Sequence, residues 1–158
     1  MTIPEGKHTV TPYVAAKGAD RFLDFVESAF RTEPARKVRN PDGTIGHSEV
    51  TIGDSVVMAF DVGPGWPDMP ALLSVYVEDV EAVFARAVEA GATVVTEVFT
   101  SRIVGDRGGR LRDPVGNIWW VQTHLADPDL GAFEDPAELE IMRSAQRSFA
   151  DEMGRRAE

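Results

Sequence analysis

Residues 10–30, VTPYVAAKGADRFLDFVESAF, change their hydrophobic period halfway along. Residues 10–16 are apolar and rich in β-branched side chains, which is typical of a strand. From Ala19 onward, apolar residues recur at intervals of three and four, which predicts an amphipathic helix. Its buried stripe is mostly aromatic and consists of Phe22, Phe25, Val26, Ala29 and Phe30. The stretch therefore predicts a strand followed directly by a helix.

Three more strands are expected after this helix, at residues 35–39, 44–52 and 55–61. The sequence Asn-Pro-Asp-Gly at 40–43 predicts the turn between the first two, because proline presets φ and glycine accepts a positive φ. Gly53 and Asp54 form a two-residue turn between the last two. A loop rich in proline and glycine follows at residues 62–70.

The same order begins again at residues 72–91, LLSVYVEDVEAVFARAVEAG. This segment predicts a strand at 72–77 and a helix that is capped by Asp79 and ends at Gly91. Strands are expected at 93–100 and 118–123, Leu111 fits a further strand between them, and turns are expected at 106–109 and 113–116. The predicted fold class is therefore α+β, with two similar β-α-β-β-β modules packed together.

Residues 125–158 differ from the rest of the chain in charge. They hold nine carboxylates against four arginines, which is half of the formal net charge of −10. Asp135, Pro136 and Glu138 are typical of a helix start, as cap, first position and capping-box partner. The expected apolar side of this helix consists of Leu139, Met142, Gln146, Phe149 and Met153. We therefore expect a domain at 1–124, with modules at about 8–61 and 72–124, and an acidic helical extension at 125–158.

The composition argues against several classes of function. The chain has 158 residues and no cysteine, which excludes disulfides, thiolate metal sites and cysteine nucleophiles. No apolar run approaches the ~18 residues of a membrane span. The N-terminal residues lack the apolar core of a signal peptide, so the expected location is the cytoplasm. The acidity disfavours nucleic acid as a partner and favours a cationic or neutral small molecule over an anionic one.

The two modules resemble the vicinal oxygen chelate superfamily, which includes glyoxalase I, extradiol dioxygenases and bleomycin-resistance proteins, and within it the PhnB-like branch. In the first module the resemblance rests on TPYV at 11–14, Phe22 and Phe25 on the helix, and GHSEVTIGDS at 46–55. In the second it rests on VYVEDV at 75–80, GDRGG at 105–109, and RDPVGN at 112–117 with Trp119. It covers residues 8–124 and implies a glyoxalase-like pair of half-barrels that enclose a cavity.

In the metalloenzymes of that superfamily, four cavity positions supply His, Gln or Glu to a divalent metal. The resemblance places these positions at Thr11, Val57, Leu73 and Trp120. A shift of one residue gives Pro12, Met58, Ser74 and Trp119. Neither set contains imidazole or carboxylate donors, so the sequence predicts no metal and no cofactor. The enzymatic activity of the relatives is therefore not carried over with the fold.

His47 and Glu49 lie two residues apart on a predicted strand and so share one face. The more apolar face, formed by residues 48, 50 and 52, suits helix packing, which directs His47 and Glu49 toward the cavity. They are candidates for a hydrogen-bonding or acid–base pair. A polar strand face that is only partly exposed to solvent, without a functional role, explains the two residues equally well.

Three aromatic residues and one arginine complete the predicted ligand site. The analogy of ligand positions places Trp120 in the cavity, where it would stack on a planar or cationic ligand or simply fill space. Tyr13 and Tyr76 are assigned equivalent places in the repeat, lining the cavity or the core. Arg107, in the turn expected at 106–109, would clamp a carboxylate or phosphate, or tie the loop down through Asp113.

The sequence thus predicts metal-independent binding of a small molecule in an aromatic-lined cavity, as in the drug-sequestering members of the superfamily. One alternative is a metal-dependent lyase or isomerase of the glyoxalase type. Another is a metal-free proton-transfer enzyme that uses His47 and Glu49 as catalytic residues. A third is a structural or partner-binding protein whose cavity is collapsed. The family habit and the amphipathic tail predict a homodimer.

Overall fold

The structure is a computed structural model that describes residues 2–157. The first module consists of β1 (Tyr13–Ala16), α1 (Ala19–Phe30), β2 (Arg36–Arg39), β3 (Ile45–Ile52) and β4 (Ser55–Asp61). The second consists of β5 (Leu72–Tyr76), α2 (Val80–Glu89), β6 (Thr93–Ser101), β7 (Asp106–Arg112) and β8 (Ile118–His124). A short 3-10 helix at Leu130–Glu134 leads to α3 (Pro136–Ala157). No helix within residues 2–157 is both long and apolar enough to cross a bilayer.

Each module forms its own four-stranded sheet, ordered β1-β4-β3-β2 and β5-β8-β7-β6. The first strand of each module runs parallel to the last, and the other neighbours are antiparallel. The predicted α+β class, with two β-α-β-β-β modules and a C-terminal helix, is confirmed.

One side of both sheets is buried by α1 and α2, which also pack against each other. We call this the inner side and the opposite face the outer side. On the inner side, the indole of Trp119 lies 5.1 to 6.2 Å, between ring centroids, from Phe22, Phe25 and Phe30 of α1. Each such side chain contributes ~1.5–3 kcal/mol when fully buried. Because Trp119 belongs to the second module and α1 to the first, the two modules share one core.

The turn expected at 106–109 is wrong, because these residues lie in β7 and the chain turns earlier, at 102–105. Gly105 has φ +77°, and a Cβ there would lie 1.9 Å from the carbonyl oxygen of Ala126. Gly108 and Gly109 are strand residues at which a Cβ would come within 2.6 Å of a carbonyl of a neighbouring strand. These two glycines therefore permit close strand packing rather than a turn.

The tail helix α3 lies on the outer side of the second sheet, mainly against β6. Asp135 caps it as predicted, accepting from the backbone N–H of Ala137 at 2.9 Å. The predicted apolar side is correct in part: Leu139, Met142 and Phe149 are half-buried, but Gln146 and Met153 are exposed, and the most buried residues of α3 are Glu138, Ala145 and Glu152. Glu138 does not close a capping box, since its carboxylate accepts from the backbone N–H of Arg102 at 3.1 Å. The helix is therefore rotated so that carboxylates face the sheet.

Candidate functional site

The outer side of the first sheet carries the predicted pair His47 and Glu49. On the same strand, Ser48 and Val50 are buried on the inner side, so the alternation expected from the sequence is present. Tyr13 of β1 lies on the outer side as well and is 51% exposed. Three of the predicted site residues, Tyr13, His47 and Glu49, are therefore brought together on a surface open to solvent.

Four side chains on this surface form one hydrogen-bonded chain. The hydroxyl of Tyr13 lies 3.2 Å from Nδ1 of His47, and Nε2 of His47 lies 3.3 Å from Oε1 of Glu49. The ammonium of Lys7 lies 2.5 Å from the same carboxylate oxygen. Lys7 and then His47 hold the pKa of Glu49 below its ordinary value, so Glu49 is an ionised acceptor at neutral pH. Since ionised Glu49 can only accept, Nε2 of His47 is the donor in that contact, and in the tautomer with unprotonated Nδ1 the hydroxyl of Tyr13 donates to Nδ1.

A row of aromatic rings runs beside this chain. Tyr13 packs edge-on against Phe60, with 5.1 Å between centroids, and Phe60 packs edge-on against Trp66 at 6.2 Å. Trp66 lies in the loop between β4 and β5 and is 51% exposed. We call Tyr13, Phe60 and Trp66 the aromatic row. It combines an apolar surface with the hydroxyl of Tyr13, as a small-molecule site requires.

Three members of this site were not predicted from the sequence: Lys7, Phe60 and Trp66. Phe60 lies on the strand expected at 55–61 but was not assigned to the site. Lys7 precedes β1, and Trp66 lies in a loop, so neither belongs to a periodic pattern. One sequence feature could have indicated Trp66: it is a tryptophan in a loop rich in proline and glycine.

The remaining predicted residues lie on the second sheet and do not join this cluster. Tyr76 is on the outer side and 62% exposed, and its hydroxyl donates to Asp106 at 3.2 Å. Burial, and then the Asp106 carboxylate, raises the pKa of Tyr76. The side chain of His124 also contacts Asp106, with 2.8 Å between Nδ1 and Oδ1. Tyr76 is thus part of a separate polar cluster.

Trp120 and Arg107 lie on opposite sides of the second sheet. Trp120 is on the outer side, where the guanidinium of Arg110 covers its ring, with 4.0 Å from Cζ to the centroid. Arg107 is on the inner side, where it binds Glu81 of α2 and donates to Thr100 of β6 at 3.0 Å. Since Arg107 lies in a strand and not in a loop, its role here is to tie β7 to α2. The structure does not pair it with Asp113.

The sheet registers redefine the four ligand positions of the superfamily. Gly18 and Asp79 are the N-caps of α1 and α2, and Tyr13 and Ser74 each lie five residues before their cap. Tyr13 pairs with Met58, and Ser74 pairs with Trp120. Ser74, and not Tyr76, is therefore the equivalent of Tyr13.

Met58 pairs with Tyr13 as Trp120 pairs with Ser74, so Met58, and not Val57, is the ligand position on the last strand of module one. Thr11 and Leu72 each lie seven residues before their helix cap, so Leu72, and not Leu73, is the equivalent of Thr11. Val57 instead belongs to the inner core, and Leu73 packs against it.

The residues at these positions do not fit a divalent metal. The set consists of Thr11, Met58, Leu72 and Trp120. It contains no imidazole or carboxylate, and the hydroxyl of Thr11 already donates to the carbonyl of His8 at 2.8 Å. Within the described part of the chain, no three His, Asp or Glu side chains come together in a way that would hold a metal ion.

A cleft of about 470 Å³ lies where the two modules meet, next to the first strand of each. Its walls combine apolar side chains with hydroxyl groups and with the side chains of His8 and Asp54. They include Thr11, Pro12, Val57, Leu73, Ser74, Tyr76 and Trp119. Pro12 connects this cleft to Tyr13, whereas His47 and Glu49 do not line it. The cleft therefore lies next to the hydrogen-bonded chain but does not contain it.

Comparison with known proteins agrees with this architecture. An uncharacterised protein from Mycobacterium bovis is 34% identical over 121 residues, which is 70% of this chain and 79% of that protein. The structure of TioX from Micromonospora sp. ML1 is 25% identical with a TM-score of 0.57, covering 77% of this chain and all of that one (100%). The PhnB protein from Bacillus cereus is 19% identical with a TM-score of 0.51, covering 75% and 100%.

The family model that matches residues 7–121 is described as the glyoxalase/bleomycin resistance protein/dioxygenase superfamily. The match ends before the 3-10 helix and α3. The resemblance stated from the sequence is confirmed, and this chain belongs to the glyoxalase/bleomycin resistance protein/dioxygenase superfamily.

Proposed function

We propose that this protein binds a small planar molecule, cationic or neutral, on the outer side of the first sheet, without a metal. The observation that carries the proposal is the hydrogen-bonded chain of Tyr13, His47, Glu49 and Lys7 beside the half-exposed aromatic row. Ring faces supply stacking and attract cations, and the chain supplies oriented polar groups.

The charges of this surface support a cationic or neutral ligand. Lys7 and Glu49 neutralise each other within the hydrogen-bonded chain, so this pair adds no net charge that would attract an anion. The net charge of −10 raises the local concentration of cations around the whole molecule. An exposed cation–π contact contributes ~0.5–1 kcal/mol, and more when it is desolvated. Several such contacts along the aromatic row would add up to a measurable affinity.

The test is calorimetric titration of the full chain with the planar cation N-methylquinolinium. Trp66→Leu should weaken its binding about fivefold, the equivalent of ~1 kcal/mol, because the outermost ring of the row is lost. Tyr13→Phe keeps the ring but removes the hydroxyl, so it should affect binding of this probe less. Phe133→Leu is a matched control, since Phe133 is an exposed aromatic residue in the 3-10 helix, away from the first sheet. Equal affinities of Trp66→Leu and Phe133→Leu would contradict the proposal.

A second candidate function is metal-free proton transfer. The order of groups in the hydrogen-bonded chain, from Glu49 through His47 to Tyr13, favours it. With Nε2–H of His47 donating to Glu49, Nδ1 accepts the proton of the Tyr13 hydroxyl as that hydroxyl takes a proton from the substrate, and the reverse steps return it. This candidate predicts deuterium exchange into dihydroxyacetone in D₂O that is lost in His47→Gln. Exchange at the rate of the buffer alone would leave binding as the function.

A further inference from the structure

The outer side of the second sheet is held to its cover, α3, by charges. Arg102 at the end of β6 pairs with Asp135 at 2.6 Å and with Glu138 at 3.2 Å. Arg112 of β7 pairs with Glu152 of α3 at 3.0 Å. In an acidic protein, this side of the sheet is a basic patch that the tail neutralises.

Arg110 lies between these two arginines and lacks a carboxylate partner. Its side chain is 9% exposed, and no carboxylate among residues 2–157 lies within 4.0 Å of its guanidinium nitrogens. The guanidinium is sandwiched between Trp120 at 4.0 Å and Phe149 at 4.6 Å, measured from Cζ to the ring centroids. Burial lowers its pKa to about 10. A buried cation without a counter-charge is unfavourable, so the surroundings of Arg110 favour binding of an anion.

Half of the contacts of Arg110 come from the tail helix. Nη1 donates to the carbonyl oxygen of Ala145 at 2.8 Å, and the ring of Phe149 covers one face. The sheet supplies the hydroxyl of Thr96 at 3.1 Å and the ring of Trp120. The tail thus offers an oxygen acceptor and an aromatic ring, the two groups that a planar aromatic anion would bring.

The tail helix buries few apolar side chains completely, and its other apolar residues on the sheet are half-buried. Ala145 is the only apolar residue of α3 that is fully buried in the described structure. A groove of about 330 Å³ lies between α3 and β6, lined by residues that include Phe99, Ile141 and Ser148. An element that buries little apolar area opens at low free energy. Detachment of α3 therefore costs less than loss of either module.

We propose that the outer side of the second sheet is a binding site for a planar aromatic anion and that α3 is its displaceable cover. The anion replaces the carbonyl of Ala145 at Arg110, in the bidentate geometry that guanidinium favours, and its ring replaces Phe149 in the stack. This site is separate from the one proposed on the first sheet and has the opposite charge preference. Since the site is accessible only in the open fraction of molecules, apparent affinity rises with that fraction.

The test uses full-length protein and the probe 2-naphthoate, titrated by calorimetry. The double variant Glu138→Gln/Glu152→Gln removes one of the two tail carboxylates that bind Arg102, leaving Asp135, and the one that binds Arg112. It should bind 2-naphthoate at least about tenfold more tightly than wild type, because the open fraction increases. The matched control Glu140→Gln/Asp151→Asn changes two exposed acids of α3, of which Glu140 pairs with Arg147 on the same helix. It should match wild type.

Two further measurements test the chemistry of the site. Adding Arg110→Gln to the double variant should abolish the gain, whereas His47→Gln should leave it unchanged, which separates this site from the first sheet. The neutral probe 2-naphthamide should bind the double variant at least about tenfold more weakly than 2-naphthoate, and this comparison stands even if the Arg110 variant does not fold. Equal binding of the two probes, or a double variant no tighter than its control, would overturn the proposal.

Discussion

At the scale of single residues, buried carboxylates organise the second module. Asp113 is 3% exposed and accepts four hydrogen bonds. Its donors are the backbone N–H groups of Val115 and Asn117, the side-chain amide of Asn117 and the indole N–H of Trp119. The last bond, at 3.0 Å, fixes the indole that packs on α1. Asp113 therefore couples a turn to the core shared by the two modules.

Replacement of Asp113 by alanine should lower the free energy of unfolding by about 3 kcal/mol, because it leaves several buried donors unpaired. Asp54→Ala is the control, since Asp54 sits in the exposed turn between β3 and β4 and should change stability by less than about 0.5 kcal/mol. Urea denaturation followed by tryptophan fluorescence measures both. Similar losses in the two variants would show that the hydrogen bonds of Asp113 contribute little.

Some site residues could be predicted from the sequence and others could not. His47 and Glu49 follow from the two-residue period of a strand with one buried face, a local rule. Arg110 has no such signal, because its burial depends on Phe149 and Ala145, far along the chain. Long-range packing thus decides which polar residues of a strand are covered.

At the scale of elements, α3 shows where a local pattern fails. The start at Asp135 and Pro136 was predicted because capping is encoded within one turn. The buried face was predicted from hydrophobicity alone, which favours Leu139 and Met153. The sheet instead presents arginines, so the helix directs Glu138 and Glu152 toward it. The surface of the second sheet, and not the hydrophobic pattern of α3, therefore determines which side of this helix is buried.

The pH dependence of Glu152→Gln tests this interpretation of α3. Burial opposes ionisation of Glu152, but hydrogen bonds from Arg155, Arg156 and Arg112 outweigh it and hold its pKa below the ordinary value. A depressed folded-state pKa stabilises the protein above the unfolded pKa of about 4.3, and this contribution is lost as pH falls through the folded pKa.

Glu152→Gln should therefore lower the free energy of unfolding by about 2 kcal/mol at pH 7, and by progressively less below pH ~4. Urea denaturation of both proteins at pH 7 and pH 3 measures the difference. Glu140→Gln, at an exposed position of the same helix, should have a much smaller effect. A Glu152→Gln effect that does not change with pH would assign it to packing instead of charge.

At the scale of the whole molecule, the two modules share a fold but differ on their outer sides. The first sheet leaves Tyr13, His47 and Glu49 in contact with solvent, whereas α3 covers the β6 side of the second and leaves Tyr76 exposed. The order of strands and helices was predictable because each has its own local period, but the first residues of β7 were not, because its glycines resemble a turn. The homodimer expected from the sequence stays a prediction.

The central claim is that this protein binds its ligand without a metal. The most direct test is to measure whether the purified protein contains or binds a metal ion. Protein purified without chelator should contain far less than one equivalent of zinc, nickel, iron or manganese by elemental analysis. Calorimetric titration with zinc should show no tight one-to-one event, and chelator should not shift the melting temperature, because no bound metal stabilises the native state. A stoichiometric metal that is lost in His47→Gln and Glu49→Gln would contradict the claim and favour a metal-dependent enzyme.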